Sequence, residues 1–454
     1  MSKVIKLKKG FNINLAGKAE KRLGGEVLPE IFALKPTDFH GIKRPKLLVN
    51  EGDTVKAGTP ILFDKMLESV MFTAPVSGEV VEIKRGAKRK LLEIKILADK
   101  QIAYESFPKH SAGDISNLSR ELILDQLLKS GLWPNIIQRP YGIIADPTET
   151  PKSIFISTFD TAPLAPDYNF LLKGQEAHFQ TGLDVLKKLT TGNVHLGLKG
   201  EGEVAPVFAQ AKNVQLHKFS GKHPAGNVGV QIHHIDPINK GDIVWTVKPQ
   251  AVAQIGKLFT EGIYDASKII ALVGSEVKEP QYYRTYVGAG VSRLTEGKVK
   301  AGKNRFISGN VLTGEKVAED GFLGFYDNML TVIPEGDNYE FLGWIMPQAN
   351  VPSFHRAFGL LSFLNPKKEF VVDTNTKGEE RAFVQTGVFE KVVPMDILPT
   401  HLLKAIMAED YDEMEALGIY EVVEEDFALC EFIDVSKHDV QAILREGLTL
   451  MQNS

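Results

Sequence analysis

Cysteine is almost absent from this chain. Its 454 residues hold one, Cys430, so no internal disulfide, Cys-ligated iron–sulfur cluster or zinc–cysteine site can be built within it, and a reducing compartment fits best. Long apolar runs are missing as well: no stretch approaches the ~18 residues that span a bilayer. The opening MSKVIKLKKGFNINL carries lysines but no apolar h-region, so neither a signal peptide nor a transmembrane helix is expected. Nor does one sign of charge dominate. With 53 Lys and Arg against 57 Asp and Glu, the chain lacks the basic excess that grips nucleic acid. It has no nucleophile elbow, His-Glu-x-x-His, Walker loop or GxGxxG opening a helix. The nearest match, Gly288-Ala289-Gly290, lacks a third glycine and reads as a turn. Phosphates are held by glycine-rich loops because residues without a Cβ let several backbone N–H groups approach one anion. No such cradle is evident here.

What is present is the composition of an ordinary globular protein, 43% hydrophobic and 24% charged, long enough for several domains of ~150 residues. From Val49 to Ile83, β-branched runs are cut by Gly52, Gly58, Pro60, Pro75 and Gly78, which predicts many short strands. The order resembles the barrel-sandwich hybrid of biotinyl and lipoyl domains. Lys65 falls near the modified lysine of those carriers, but it stands nine residues before Ala74 and outside a Met-Lys-Met context, so it reads as an unmodified surface lysine. Leu118, Leu122, Leu127 and Leu128 then recur at helical spacing ahead of Gly131. Ser153–Ser157 reads as a strand, Glu176–Leu189 as a helix with Leu183, Leu186 and Leu189 inward, Val194–Leu198 as a second strand, and Ala251–Thr260 as a helix. That is a βαβ unit with a parallel sheet. Strands resume at Lys268–Val273 in a pattern resembling a soluble-ligand-binding β-grasp module. From Thr400 the period is helical, with a capping box expected over Ser436–Asp439. The fold class is therefore an α/β multidomain chain: a barrel-sandwich domain at 1–103, a Rossmann-like α/β domain at 104–262, a β-grasp domain at 263–350 and a region ending in a helical bundle at 351–454.

Four histidines, His217, His223, His233 and His234, lie close in sequence. Adjacent His233 and His234 on a strand would face opposite ways, and no cysteine completes a shell, so no metal is expected. The basic turn Lys84, Arg85, Lys88, Arg89 and Lys90 reads as solvated hairpin charge, or else as a docking point for an acidic partner or anionic headgroups. The acidic run Glu421–Asp426 suits a helix start. The most unusual segment is SGLWPNIIQRPYGII, Ser130–Ile144. A flat electron-accepting ring such as a quinone wants apolar walls, aromatic faces and one or two donors for its carbonyl oxygens. Leu132, Trp133, Ile136, Ile137, Arg139 and Tyr141 are the candidate quinone-binding residues, with Arg139 as donor. On that reading Arg139→Ala weakens quinone binding without unfolding. The competing reading makes Trp133 and the isoleucines the plug of a domain interface. The apolar stretch Phe354–Leu364 is too short to span a membrane and fits a core helix or an interface with a membrane partner. No catalytic residue is nominated.

Ordered blocks along nearly the whole length, KKGFNINLAG, FTAPVSGEVVEIKRGAKR, SGLWPNIIQRP, TGLDVL with LTTGNV, GKHPAG, ISGNVLTG, LGWIMP and EEDFALCEF, resemble the A subunits of the bacterial sodium-translocating NADH:quinone oxidoreductases. That family is related to flavoprotein subunits holding flavin and NADH on a glycine-rich loop. Here bulky residues from Leu132 to Pro140 stand in place of the glycines, and Cys430 alone stands where the relatives place cluster ligands. The resemblance implies a peripheral subunit, bound to the cytoplasmic face of the inner membrane and holding no cofactor tightly. Quinone would be its substrate, flavins and iron centres would belong to partner subunits, and the quinone-reducing membrane subunit would be its chief neighbour. Its task would be quinone binding and assembly; the alternative is a scaffold that never touches quinone. Alone, the chain is not expected to oxidise NADH.

Overall fold

The computed structural model describes residues 4–337, 341–342, 351–355, 364–365, 367–383 and 387–454. Trp344 and all but the ends of the apolar stretch at 354–364 lie outside the described residues.

Glycine and proline punctuation near the N-terminus leaves strands too short for one large sheet, and two small antiparallel ones form instead. Ile31–Leu34, Leu91–Ala98, Gly78–Arg85 and Thr54–Val55 make the first; Pro45–Leu47, Pro60–Asp64 and Leu67–Thr73 make the second. Phe32, Ile61, Phe72, Val80, Ile94 and Ile96 are buried in the core. Lys65 and Met66 form the two-residue turn between Asp64 and Leu67, and both are exposed. At the far end of the Gly78–Arg85 hairpin the basic turn is also exposed, with Lys88 and Arg89 at positive φ (54° and 60°).

Residues 4–26 do not join those two sheets. Val4–Lys6 pairs in parallel with Gln215–Ser220 at the edge of a seven-stranded sheet, and Glu20–Glu26 pairs with Gln281–Tyr286 at the edge of a six-stranded one. The start of the chain thus covers the open edges of two larger sheets, which blunts them against pairing with other chains.

The seven-stranded sheet runs Val4–Lys6, Gln215–Ser220, Asn193–Lys199, Ser153–Ser157, Val244–Val247, Ile136–Arg139, Ile143–Ile144. The first five strands are parallel, Ile136–Arg139 runs antiparallel to them, and Ile143–Ile144 runs antiparallel to Ile136–Arg139. Asn193–Lys199 follows Ser153–Ser157 on one side and Val244–Val247 is added on the other, so the strand order reverses at Ser153–Ser157. The helix Arg120–Ser130 leads into this layer. Ser119 caps it, accepting from the Leu122 N–H (3.3 Å), and Gly131 ends it at φ 85°. A Cβ on Gly131 would stand 1.9 Å from Thr73 Oγ1, so glycine lets the helix end seat on the strand Leu67–Thr73. The inward stripe is Ile123, Gln126, Leu127 and Ser130. Leu122, expected inside, is 60% exposed, because a helix starting at Arg120 turns that position away from the Ile123–Leu127 face.

Helices Glu176–Lys187 and Pro249–Glu261 pack backbone to backbone. A Cβ on Gly182 would meet the Val252 carbonyl at 1.9 Å, and one on Gly256 the His178 carbonyl at 1.8 Å. Alanine at Gly256 has to push the helices apart. We expect Gly256→Ala to cost about 1–3 kcal/mol, the usual range for overpacking, read as a lower urea midpoint at unchanged slope; an unshifted midpoint would show that the pair relaxes freely.

The six-stranded sheet runs Glu315–Val317, Asn304–Ser308, Met329–Pro334, Ser267–Val273, Gln281–Tyr286, Glu20–Glu26 and mixes parallel with antiparallel neighbours. Gly288-Ala289-Gly290 is a turn after Gln281–Tyr286, where the Gly288 carbonyl accepts from Ala33 N–H (2.9 Å). Four helices close the chain: Pro399–Met407, Tyr411–Ala416, Glu424–Ile433 and Val440–Asn453. Leu402, Leu403, Ile406, Met414, Leu444 and Leu448 are buried. The last helix is capped by Asp439, which accepts from Ala442 N–H (3.1 Å), not by Ser436. Lys437, at φ 60°, breaks the helical path a box starting at Ser436 would need.

Candidate functional site

A cleft of about 580 Å³ opens where the seven-stranded sheet, the six-stranded sheet and the C-terminal helices meet. Ser157 ends the strand Ser153–Ser157, Phe159 and Asp160 follow it, and Lys248 follows Val244–Val247. The cleft thus lies outside the carboxyl ends of two parallel strands at the reversal of strand order, the place where open α/β sheets bind ligands. Ile137 and Arg139 border it from the antiparallel strand, Lys268, Phe325 and Tyr326 from the six-stranded sheet, and Glu424 and Glu425 from the helices.

Each wall is fixed by its own bonds. Tyr326 O–H donates to the Pro134 carbonyl (2.6 Å), and Phe325 N–H to Asp38 Oδ2 (2.8 Å). Asp38 is buried beside Lys35 (3.0 Å); burial pushes its carboxyl up to about 6, while the lysine and the Phe325 N–H oppose. Asn328 Nδ2 donates to Tyr168 Oη (3.0 Å). Lys268 donates to the carbonyls of Phe325 (2.8 Å) and Asp327 (2.7 Å). Enclosure lowers its ammonium to about 8 against the pull of Asp327.

Arg139 is buried, with Nη1 on Asp426 Oδ2 (2.9 Å) and Nη2 on Glu425 Oε1 (2.7 Å). The acidic run therefore does more than open a helix. Glu425 and Asp426 hold Arg139, Glu424 pairs with Arg445, and Glu421 with His233. The other candidates from Ser130–Ile144 divide. Leu132, Trp133 and Ile136 are fully buried. Trp133 donates to the Ala145 carbonyl (2.7 Å) and stands edge-on to Trp245 (5.4 Å, 86°). Tyr141 lies beside the cleft, its carbonyl accepting from Arg445 Nη1 (2.7 Å) and its ring edge-on to Tyr420 (6.4 Å). Ile137 and Arg139 alone among the six candidates line the cleft. Lys248, Lys268, Tyr168 and Tyr326 are not singled out by sequence reasoning. The lysine at the head of the otherwise apolar KIIALV run is the available signal, since a strand that buries its remainder makes an enclosed charge.

The histidines do not converge. His233 and His234 sit in the last turn of the helix Val228–Ile235, not on a strand; His233 faces Glu421 (2.7 Å) and His234 the Pro394 carbonyl (2.9 Å). His223 meets Thr161 (3.1 Å), and His217 meets His195 (2.9 Å), which also stacks on Phe155 (4.5 Å). Among the described residues no group of three or more His, Cys, Asp or Glu is placed to hold a metal ion. Burial, aided by His217, depresses His195 to about 4. In the unfolded chain it titrates near ~6.5, so its neutral form stabilises the fold above that pH and the contribution is lost as pH falls from ~6.5 towards 4. The expected loss by pH 4.5 is about 2 kcal/mol. Urea unfolding at pH 7 and 4.5 should show it, with a smaller difference in His195→Gln; equal differences would sink the assignment.

Three family models match in order: the NqrA N-terminal barrel-sandwich hybrid domain over residues 5–99, the NqrA second alpha/beta domain over 118–264 and the NQRA C-terminal domain over 269–319. The A subunit of the Na(+)-translocating NADH-quinone reductase of Alcanivorax borkumensis is 41% identical over 450 residues, covering 99% of both chains. Its counterpart from Haemophilus influenzae is 40% identical over 450 residues, covering 98% of both. An NAD+-reducing [NiFe]-hydrogenase structure aligns over 50% of this chain and 49% of its own at 11% identity and a TM-score of 0.38. Matched over 98–99% of its length by relatives at this identity, with three family models in order between residues 5 and 319, the chain belongs to the NqrA family, the A subunits of the Na(+)-translocating NADH-quinone reductases.

Proposed function

We propose that the chain is a peripheral subunit of a complex that passes electrons from NADH to quinone while exporting sodium, and that it lends this complex a quinone-binding cleft. The observation that carries the reading is the cleft itself, where Ile137, Tyr168, Phe325 and Tyr326 gather around Arg139, Lys248 and Lys268. A quinone is a flat apolar ring with two carbonyl acceptors, and such a ligand needs apolar or aromatic walls with a few placed donors. Flavins and iron centres are assigned to partner subunits. Cys430 is buried and its thiol is pushed well up by burial, which suits neither a thiolate ligand nor a redox group. Among the described residues no helix is long and apolar enough to cross a membrane, so attachment to the cytoplasmic face falls to partners, foremost the quinone-reducing membrane subunit. We also read the chain as four units, with the Rossmann-like type for 104–262, β-grasp for 263–350 and a helical bundle at the end of 351–454.

A second reading, a scaffold that never touches quinone, is favoured by one observation: both terminal nitrogens of Arg139 are committed to Glu425 and Asp426. Photoreactive quinone applied to the assembled complex, followed by peptide mapping, separates the two. Label on the Ile137–Arg139 or Phe325–Asp327 peptides supports the cleft; label confined to other subunits leaves the scaffold.

A further inference from the structure

Lys268 is the second residue of the strand Ser267–Val273, two positions ahead of its buried half, and it lines the cleft. An ammonium has three N–H donors. Two of them reach the Phe325 and Asp327 carbonyls, the acceptors that its Nζ meets among the described residues. Lys248 stands at the same loop with one bond, to the Tyr326 carbonyl (3.0 Å). Two cations thus hold one loop by its carbonyls and keep N–H donors that no described residue accepts. A donor left over in an enclosed site is costly unless a ligand takes it.

We propose that Lys268 is the positioning residue of the cleft: its remaining N–H takes one carbonyl oxygen of the quinone ring, which lies against the side chains of Phe325 and Tyr326. This rests on the quinone reading of the cleft and adds to it a specific donor and a ring orientation. Lys248, at the rim, also lines the cleft, and its charge is felt at Lys268.

The test uses the assembled complex with the full chain, a short-chain ubiquinone analogue, and a photoreactive form of it to report position. Lys268→Met keeps the stem and removes the donor; quinone affinity is expected to fall about tenfold or more, the worth of a hydrogen bond to a charged group. Lys268→Arg is expected to recover part of it, and a ring analogue without carbonyl oxygens to bind parent and Met variant alike. Should the Met variant not assemble, the parent decides: its affinity is expected to drop between pH 7 and 9 as Lys268, faced by Asp327, Lys248 and Asp38, loses its charge, and a flat profile overturns the proposal. If the parent is labelled in the cleft and the Met variant binds equally well, the role of Lys268 falls and the quinone reading stands. If the parent is not labelled in the cleft, the quinone reading falls and this inference with it.

Discussion

Replacing Arg139 by alanine is expected to lower the unfolding free energy by about 3–5 kcal/mol, the usual consequence of removing one partner of a buried ion pair. The cause lies in what is left behind. The Asp426 side chain is fully buried; its Oδ2 is shared between Arg139 and the Val423 N–H (3.1 Å), and its Oδ1 has no hydrogen-bond partner. Without the guanidinium, a carboxylate at the start of the helix Glu424–Ile433 must stay charged without a counter-ion or take up a proton. The bond to Glu425 adds little, because that carboxylate is 42% exposed. Urea unfolding of Arg139→Ala and of the double variant Arg139→Met with Asp426→Leu checks this. The double variant is expected to recover most of the loss, since nothing charged then stays buried. A single variant within ~0.5 kcal/mol of the parent would mean that the pair is not the clamp between the seven-stranded sheet and the C-terminal helices. From the sequence alone, Arg139→Ala weakens quinone binding without unfolding; buried pairing with a residue 287 positions away changes that expectation.

That partner illustrates which parts of the molecule are legible in the sequence. Local signals are: glycine and proline spacing marks the short strands from Val49 to Ile83, and the Leu183–Leu186–Leu189 stripe marks a buried helix. Apolar content and aromatic density also single out Ser130–Ile144 as the unusual segment. What periodicity cannot report is which side of a strand faces a cavity that other elements complete. Ile136 and Ile137 are neighbours of the same type, yet alternation along the strand sends the first into the core and leaves the second on the cleft. Likewise the acidic run gives a helix start, but its pairing with Arg139, Arg445 and His233 depends on how that helix docks. The edge-covering role of residues 4–26 is hidden for the same reason. Short polar strands such as Glu20–Glu26, exposed along their length, carry no burial pattern to read.

Trp133 separates the two meanings of that segment most sharply. Trp133→Ala is expected to cost about 3–5 kcal/mol, the range for emptying a buried tryptophan site, because the indole is fully buried and packs edge-on against Trp245. Trp133→Phe keeps most of the volume and loses the bond to the Ala145 carbonyl, for an expected cost of about 1–3 kcal/mol. Neither Trp133 nor Trp245 lines the cleft that Ile137 and Arg139 border. The Phe variant, assembled into the complex, should therefore bind a short-chain quinone as the parent does, while its urea midpoint drops. The opposite result, unchanged stability with lost quinone affinity, would make Trp133 a ligand contact and move the binding surface from the sheet's carboxyl edge to the helix end at Gly131. The expected pattern instead makes Trp133 the residue that holds the strand Ile136–Arg139 in place, so that the alternation along it presents Ile137 to the cleft.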